Sequence, residues 1–242
     1  MGHDIQNIPL LNLALSFIPV LFALAILFKW SLESSNALYA LARMLVQLLL
    51  VGYLLSYIFN ADNAAIVITV LAIMVFASSW IALGTIPIKR NLLYKQAFLS
   101  IIVGGGFTLL VITQGVLNLK PWYLPQIIIP LAGMIFANAM NSVSLAAERI
   151  HAKIDRHVSY LEARRIALHA SLIPVINSLF AVGLVSLPGM MTGQILSGVS
   201  PLIAVRYQIM VMCMIFASSV LSAAIFLVLA KPIFSTRFTK PQ

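Results

Sequence analysis

Residues 207–230 read YQIMVMCMIFASSVLSAAIFLVLA, a run without a single charged side chain. About 20 predominantly apolar residues in helical form cross the hydrocarbon core of a bilayer. Six further runs of this kind precede it, at 8–28, 38–59, 64–85, 97–117, 124–145 and 166–187. Seven such spans absorb most of the 242 residues and leave short connections, with no room for a second soluble domain. The expected fold is an all-α, polytopic membrane helix bundle of about seven transmembrane helices, with 1–242 as a single domain.

Composition agrees. Hydrophobic residues make up 62% of the chain and charged residues 9%, against roughly 25% charged in an ordinary soluble domain. Mean hydropathy is +1.04. The net charge of +9 is to be read through its placement, because cytoplasmic loops collect Lys and Arg. The first, third and fifth connections and the C-terminal tail hold 13 basic residues, among them Lys29, Arg43, Lys89, Arg149, Arg165, Lys231, Arg237 and Lys240, whereas the intervening regions hold Lys120 and Arg206. This puts the N-terminus outside and the C-terminus in the cytoplasm. No Lys or Arg precedes the first run, so a cleaved signal peptide is not expected. Cys213 is the single cysteine and forms no internal disulfide.

Two segments break the pattern. Residues 188–201 contain Gly189, Gly193, Gly198 and Ser200 without a charge, and read as an external loop in preference to a re-entrant segment. Residues 146–165 form the one long polar stretch, expected to be a cytoplasmic amphipathic helical loop. Ile150, Ile154, Val158 and Leu161 recur at helical spacing on one face, and Glu148, Arg149, Asp155 and Glu162 lie among the charges around them. Such a stripe folds back, lies on anionic lipid or docks a partner.

Absences narrow the chemistry. No Gly-x-x-x-x-Gly-Lys-[Ser/Thr] occurs, so the chain holds no ATP in a P-loop. Gly104-Gly105-Gly106 lies inside a span and reads as close helix packing. No His-x-x-x-His or Cys-x-x-Cys suggests a metal cage. Asp4, Glu33, Asp62, Glu148, Asp155 and Glu162 all fall outside the membrane core, which disfavours a proton- or sodium-coupled carrier. No catalytic residue emerges either. The motifs MVFASS (74–79), MIFANA (134–139) and MIFASS (214–219) read as small residues that let helices approach.

Polar groups that do enter the spans are candidates for a transport path. Arg43 and Gln47 share a helical face at i, i+4, and Asn138 and Asn141 share another at i, i+3. Met210, Cys213 and Met214, with Met190 and Met191 nearby, form a soft-donor group whose commoner role is apolar filling.

The run VGLVSLPGMMTGQILSGVSP at 182–201 and RYQIM at 206–210 resemble the FetB-type permease family of bacterial iron-export ABC permeases and plant half-transporter subunits linked to aluminium tolerance. Arg43-x-x-x-Gln47, Pro130-x-x-Gly133-Met134 with Asn138 and Asn141, and Ile173-Pro174-x-x-Asn177-Ser178 agree with it over essentially the whole chain. The resemblance implies an inner-membrane permease, not an enzyme, that exports iron or another metal. Met190, Met191, Gln194, Gln208 and Asn177 join the path candidates on this basis. It also implies a separate cytoplasmic ATP-binding subunit that carries the ATP, docked on 148–162, in an assembly of two permeases and two ATPases. No cofactor on this chain and no nucleic acid is implied. After Glu162-Ala163 the sequence RRIALHA departs from the family's Glu-Ala-x-x-x-x-Leu-Gly-Ala stretch. An uncoupled metal channel and a non-transporting scaffold are the alternatives.

Overall fold

A computed structural model describes residues 8–30, 34–60, 63–84, 86 and 90–235. Asp4, Glu33, Asp62, Lys89, Arg237 and Lys240 lie outside the described residues. The chain divides into two compact units.

The first unit is helical. Helix α1 (Leu10–Leu15) and α2 (Phe17–Lys29) meet at Ser16, whose hydroxyl donates to the Leu13 carbonyl at 2.7 Å. Helix α3 (Ser34–Asn60) packs against α2. No side chain of α2 is buried, and Arg43 and Gln47 on α3 are exposed.

The second unit holds α4 (Ala64–Ala82), α5 (Arg90–Leu110) continued by a π-helix (Val111–Val116), α6 (Pro125–Ile154), α7 (Tyr160–Ala181), α8 (Gly189–Leu196), α9 (Pro201–Leu229) and α10 (Lys231–Ser235). Helix α6 is central and packs against α4, α5, α7 and α9. Between helices in lipid there is no hydrophobic driving force, so tight van der Waals contact between small residues holds the bundle. Ser78, Ser79, Ala139, Ser218 and Ser219 from the three similar motifs are buried, as the packing reading expects. The hydroxyls of Ser78, Ser79 and Ser218 find partners within their own helices, Ser79 donating to Val75 O at 2.7 Å, and Thr108 on α5 likewise donates to Gly104 O at 2.8 Å. This satisfies a polar group where no water is at hand.

Among the described residues six helices are long and apolar enough to cross a membrane: Leu11–Lys29, Ser35–Phe59, Ala64–Ala82, Arg90–Val116, Pro125–Ile154 and Pro201–Leu229. The run expected at 166–187 is α7, whose first turns carry Glu162, Arg164 and Arg165. It ends at Ala181 because Gly183 adopts φ +83° and a tight turn closes back at Ser186.

Two expectations change. The 146–165 stretch is not one amphipathic helix. Helix α6 runs on to Ile154, the chain reverses through His157 at φ +59°, and α7 begins at Tyr160. The physical cause is an N-cap: the Ser159 hydroxyl accepts from the Glu162 backbone N–H and starts a new helix. The apolar stripe is consequently split, with Ile150 at 0% and Ile154 at 4% exposure inside the bundle and Leu161 68% exposed. Ile150 and Ile154 are core residues and present no surface to a partner. The 188–201 stretch, in turn, contains the helix α8.

Candidate functional site

Helix α6 has 30 residues and is about 45 Å long at 1.5 Å per residue. A hydrocarbon core of about 30 Å cannot contain it, so one end projects. The charged end is the α6–α7 turn. There Glu148, Arg149, Asp155, Arg156, Glu162 and Arg165 are exposed, three of each sign. His151 Nε2 lies 3.3 Å from the Asp155 carboxylate. The hairpin is tied to the bundle by Tyr160, whose phenol donates to the Leu227 carbonyl near the end of α9. Burial pushes the Tyr160 phenol up to about 12, with the nearby Arg164 charge pulling weakly the other way.

Within the second unit, α6, α7 and α9 enclose a cleft of about 310 Å³. Asn138, Asn141 and Ser142 line it from α6, Ser171 and Ser178 from α7, and Met212 and Ser219 from α9. Asn138 Nδ2 donates to Met134 O at 2.8 Å, which leaves a second N–H and the amide oxygen for a ligand. Ser171 donates to Leu168 O and Ser178 to Pro174 O, so each hydroxyl offers its lone pairs to the cleft. The Ser219 oxygen is buried without a hydrogen-bond partner. Pro174 also lines the cleft, and its missing N–H leaves the Ala170 carbonyl without a helical donor.

The lining is neutral: apolar walls from Leu145, Val175, Val182 and Ile215 carry the Asn and Ser groups between them, and no carboxylate lines it. It can accept hydrogen bonds from the waters of a hydrated cation or from a polyol. Without acids it cannot strip a hard ion and hold it, which suits transient contact more than storage.

A second cleft of about 500 Å³ lies beside the other mid-helix proline, Pro130 of α6. Gln126 and Met134 of α6, Met190 and Gln194 of α8, and Tyr207 and Met210 of α9 line it.

The expected path residues therefore separate. Asn138 and Asn141 enter the first cleft, and Met190 and Gln194 the second. Gln208 is buried on α9 with its amide oxygen unpartnered, outside both clefts. Met191 is half-buried and Asn177 exposed, and neither lines a cleft. Cys213 is exposed while Met210 and Met214 are buried. On the helix Cys213 stands about 60° from Met210 and about 100° from Met214, at the edge of their face. Sequence reasoning missed Ser171, Ser178 and Ser219. Ser178 and Ser219 stood inside stretches it had quoted, Asn177-Ser178 and MIFASS, but a membrane helix is full of serines that only pack. Among the described residues no group of three His, Cys, Asp or Glu side chains could hold a metal ion.

The profile of the Uncharacterised protein family (UPF0014) matches residues 10–165 and 155–234. The Probable iron export permease protein FetB of Escherichia coli (strain K12) is 34% identical over 244 residues, covering 93% of this chain and 90% of the relative. The UPF0014 membrane protein slr1647 of Synechocystis sp. is 40% identical over 208 residues, or 78% of this chain and 79% of the relative. Protein ALUMINUM SENSITIVE 3 of Arabidopsis thaliana is 30% identical over 243 residues, covering 93% and 86%. No solved structure matches this chain.

Proposed function

The chain belongs to the UPF0014 family, and we propose that it is the permease subunit of an ABC transporter that exports iron or another metal across the cytoplasmic membrane. A separate cytoplasmic ATP-binding subunit supplies the energy. The observation that carries this reading is the pairing of an acid-free cleft, studded with Asn and Ser groups, with a projecting charged hairpin built from two of its three helices. No carboxylate within the cleft could couple transport to protons or sodium, so uphill movement needs an external source of energy.

The exposed charges of the hairpin are of mixed sign, Glu148, Asp155 and Glu162 beside Arg149, Arg156 and Arg165. A basic face would favour anionic lipid; a mixed one suits complementary pairing with a protein. Helices α6 and α7 run directly from that edge to the cleft, so rigid movement of the hairpin reaches Asn138, Asn141, Ser171 and Ser178. Two permeases and two ATP-binding subunits complete the assembly. The name of the Escherichia coli relative supports iron as the cargo.

Reconstitution with the ATP-binding subunit tests this. Fe(II) should cross proteoliposomes only with ATP, and hydrolysis should rise when Fe(II) is present. Flux without nucleotide would establish an uncoupled channel, and binding of the partner with no flux would establish a scaffold.

A further inference from the structure

The second cleft gathers three methionines that are distant in sequence. Met134 comes from α6, Met190 from α8 and Met210 from α9, and all three border the same 500 Å³ of open space. Met134 and Met190 pack at the margin of the core that contains Met210. Methionine usually serves to fill irregular gaps; here three of them border one cleft. The Gln194 amide oxygen, also at this cleft, is buried with no hydrogen-bond partner. Leu117, Leu131 and Pro130 are among its apolar walls, and Gln126 and Tyr207 line it too.

We propose that this cleft binds a single Cu(I) ion through the thioethers of Met134, Met190 and Met210. Thioether sulfur is a neutral, polarisable donor and selects soft Cu(I) over harder ions that prefer carboxylate and water. Charge points the same way. The cost of moving an ion from water into an apolar cleft grows with the square of its charge, and no anion at this site offsets it. A monovalent ion meets the smallest penalty, and Fe(II) or Zn(II) about four times as much on that scaling. The unpartnered Gln194 oxygen supplies the negative end of an amide dipole. Methionine stems have three rotatable bonds, which gives each sulfur freedom to turn toward the cleft. Cys213, the one thiol, is exposed and does not line the cleft. This inference is independent of the permease reading, since it concerns binding by the chain itself.

The test is anaerobic titration of the purified full chain, carrying Cys213→Ser, with Cu(I) in competition with a chromogenic chelator. About one Cu(I) per chain should be retained. Met134→Leu, Met190→Leu and Met210→Leu should each weaken retention about tenfold or more, and the triple variant should retain none, because leucine keeps the bulk and loses the sulfur. Retention by a folded triple variant would overturn the proposal, as would failure of the Cys213→Ser chain to compete with the chelator at all. X-ray absorption on the loaded Cys213→Ser chain gives a second reading that requires no core substitution. Sulfur nearest the copper supports the site, and a shell of only nitrogen or oxygen overturns it.

Discussion

A methyl group placed on Gly104 of α5 would lie 2.5 Å from the hydroxyl oxygen of Ser222 on α9 and 2.7 Å from its backbone nitrogen. The two helices thus touch backbone to backbone, at a distance only a residue without Cβ allows. A methyl group on Gly105 would lie 3.0 Å from the Phe136 ring of α6, while one on Gly106 would meet nothing within 4 Å. One glycine triplet therefore joins α5 to α9 on one side and to α6 on the next.

Gly104→Ala should destabilise the bundle by about 1–3 kcal/mol, since the obstacle is backbone and cannot swing aside. Gly106→Ala should be neutral or stabilise by about 0.5–1 kcal/mol, the ordinary gain of alanine over glycine inside a helix. Thermal unfolding in detergent compares the two. Equal midpoints would mean that α5 and α9 do not meet in this way.

Tyr160 links the start of α7 to the end of α9 through the Leu227 carbonyl. Tyr160→Phe should cost about 0.5–1.5 kcal/mol, the net value of a typical hydrogen bond. The pH dependence has a definite sign. The phenol is raised to about 12 in the fold against about 10 unfolded, so the neutral form is the one that is stabilised. Its contribution is complete below pH 10 and is lost as pH rises through 12. Alkaline unfolding curves of the wild type and Tyr160→Phe should converge across that window.

The cleft between α6, α7 and α9 should carry the cargo. Asn141→Leu and Ser219→Leu should each lower ATP-dependent flux about tenfold, equivalent to about 1.4 kcal/mol. Asn177→Leu, on the exposed side of α7, should leave it unchanged. Vesicle flux normalised to membrane content of the chain makes the comparison.

The split stripe of the hairpin separates folding from docking. Ile154→Asp places an unpaired charge among core residues and should abolish accumulation of folded chain, a cost of several kcal/mol. Leu161→Asp, at an exposed site, should leave folding intact within about 0.5 kcal/mol and act on partner binding alone. Size-exclusion profiles of the two variants decide this.

Much of this was legible in the sequence, for definite reasons. Charge-free runs mark membrane helices whatever their neighbours, and Asn138 and Asn141 share a face by spacing alone. The apolar spacing of Ile150 and Ile154 was also visible, but a stripe does not say what covers it. Here the cover is the chain's own bundle, and Ser159, the N-cap of α7, was the overlooked sign of the reversal. The meeting of Met134, Met190 and Met210 was out of reach, since it depends on how three separate elements pack. So was the contact of Gly104 with Ser222. The glycine triplet announced a close approach without naming the partner.

The central claim, that this permease works with a separate ATP-binding subunit docked on the α6–α7 hairpin, is tested most directly by co-purification. The chain would be isolated from native membranes in mild detergent, as wild type and as Leu161→Asp, and bound proteins identified by mass spectrometry. A nucleotide-binding subunit near 1:1 with the wild type and lost from Leu161→Asp is the expected result. Isolation of the wild-type chain by itself, under conditions that preserve other transporters of this kind, would contradict it.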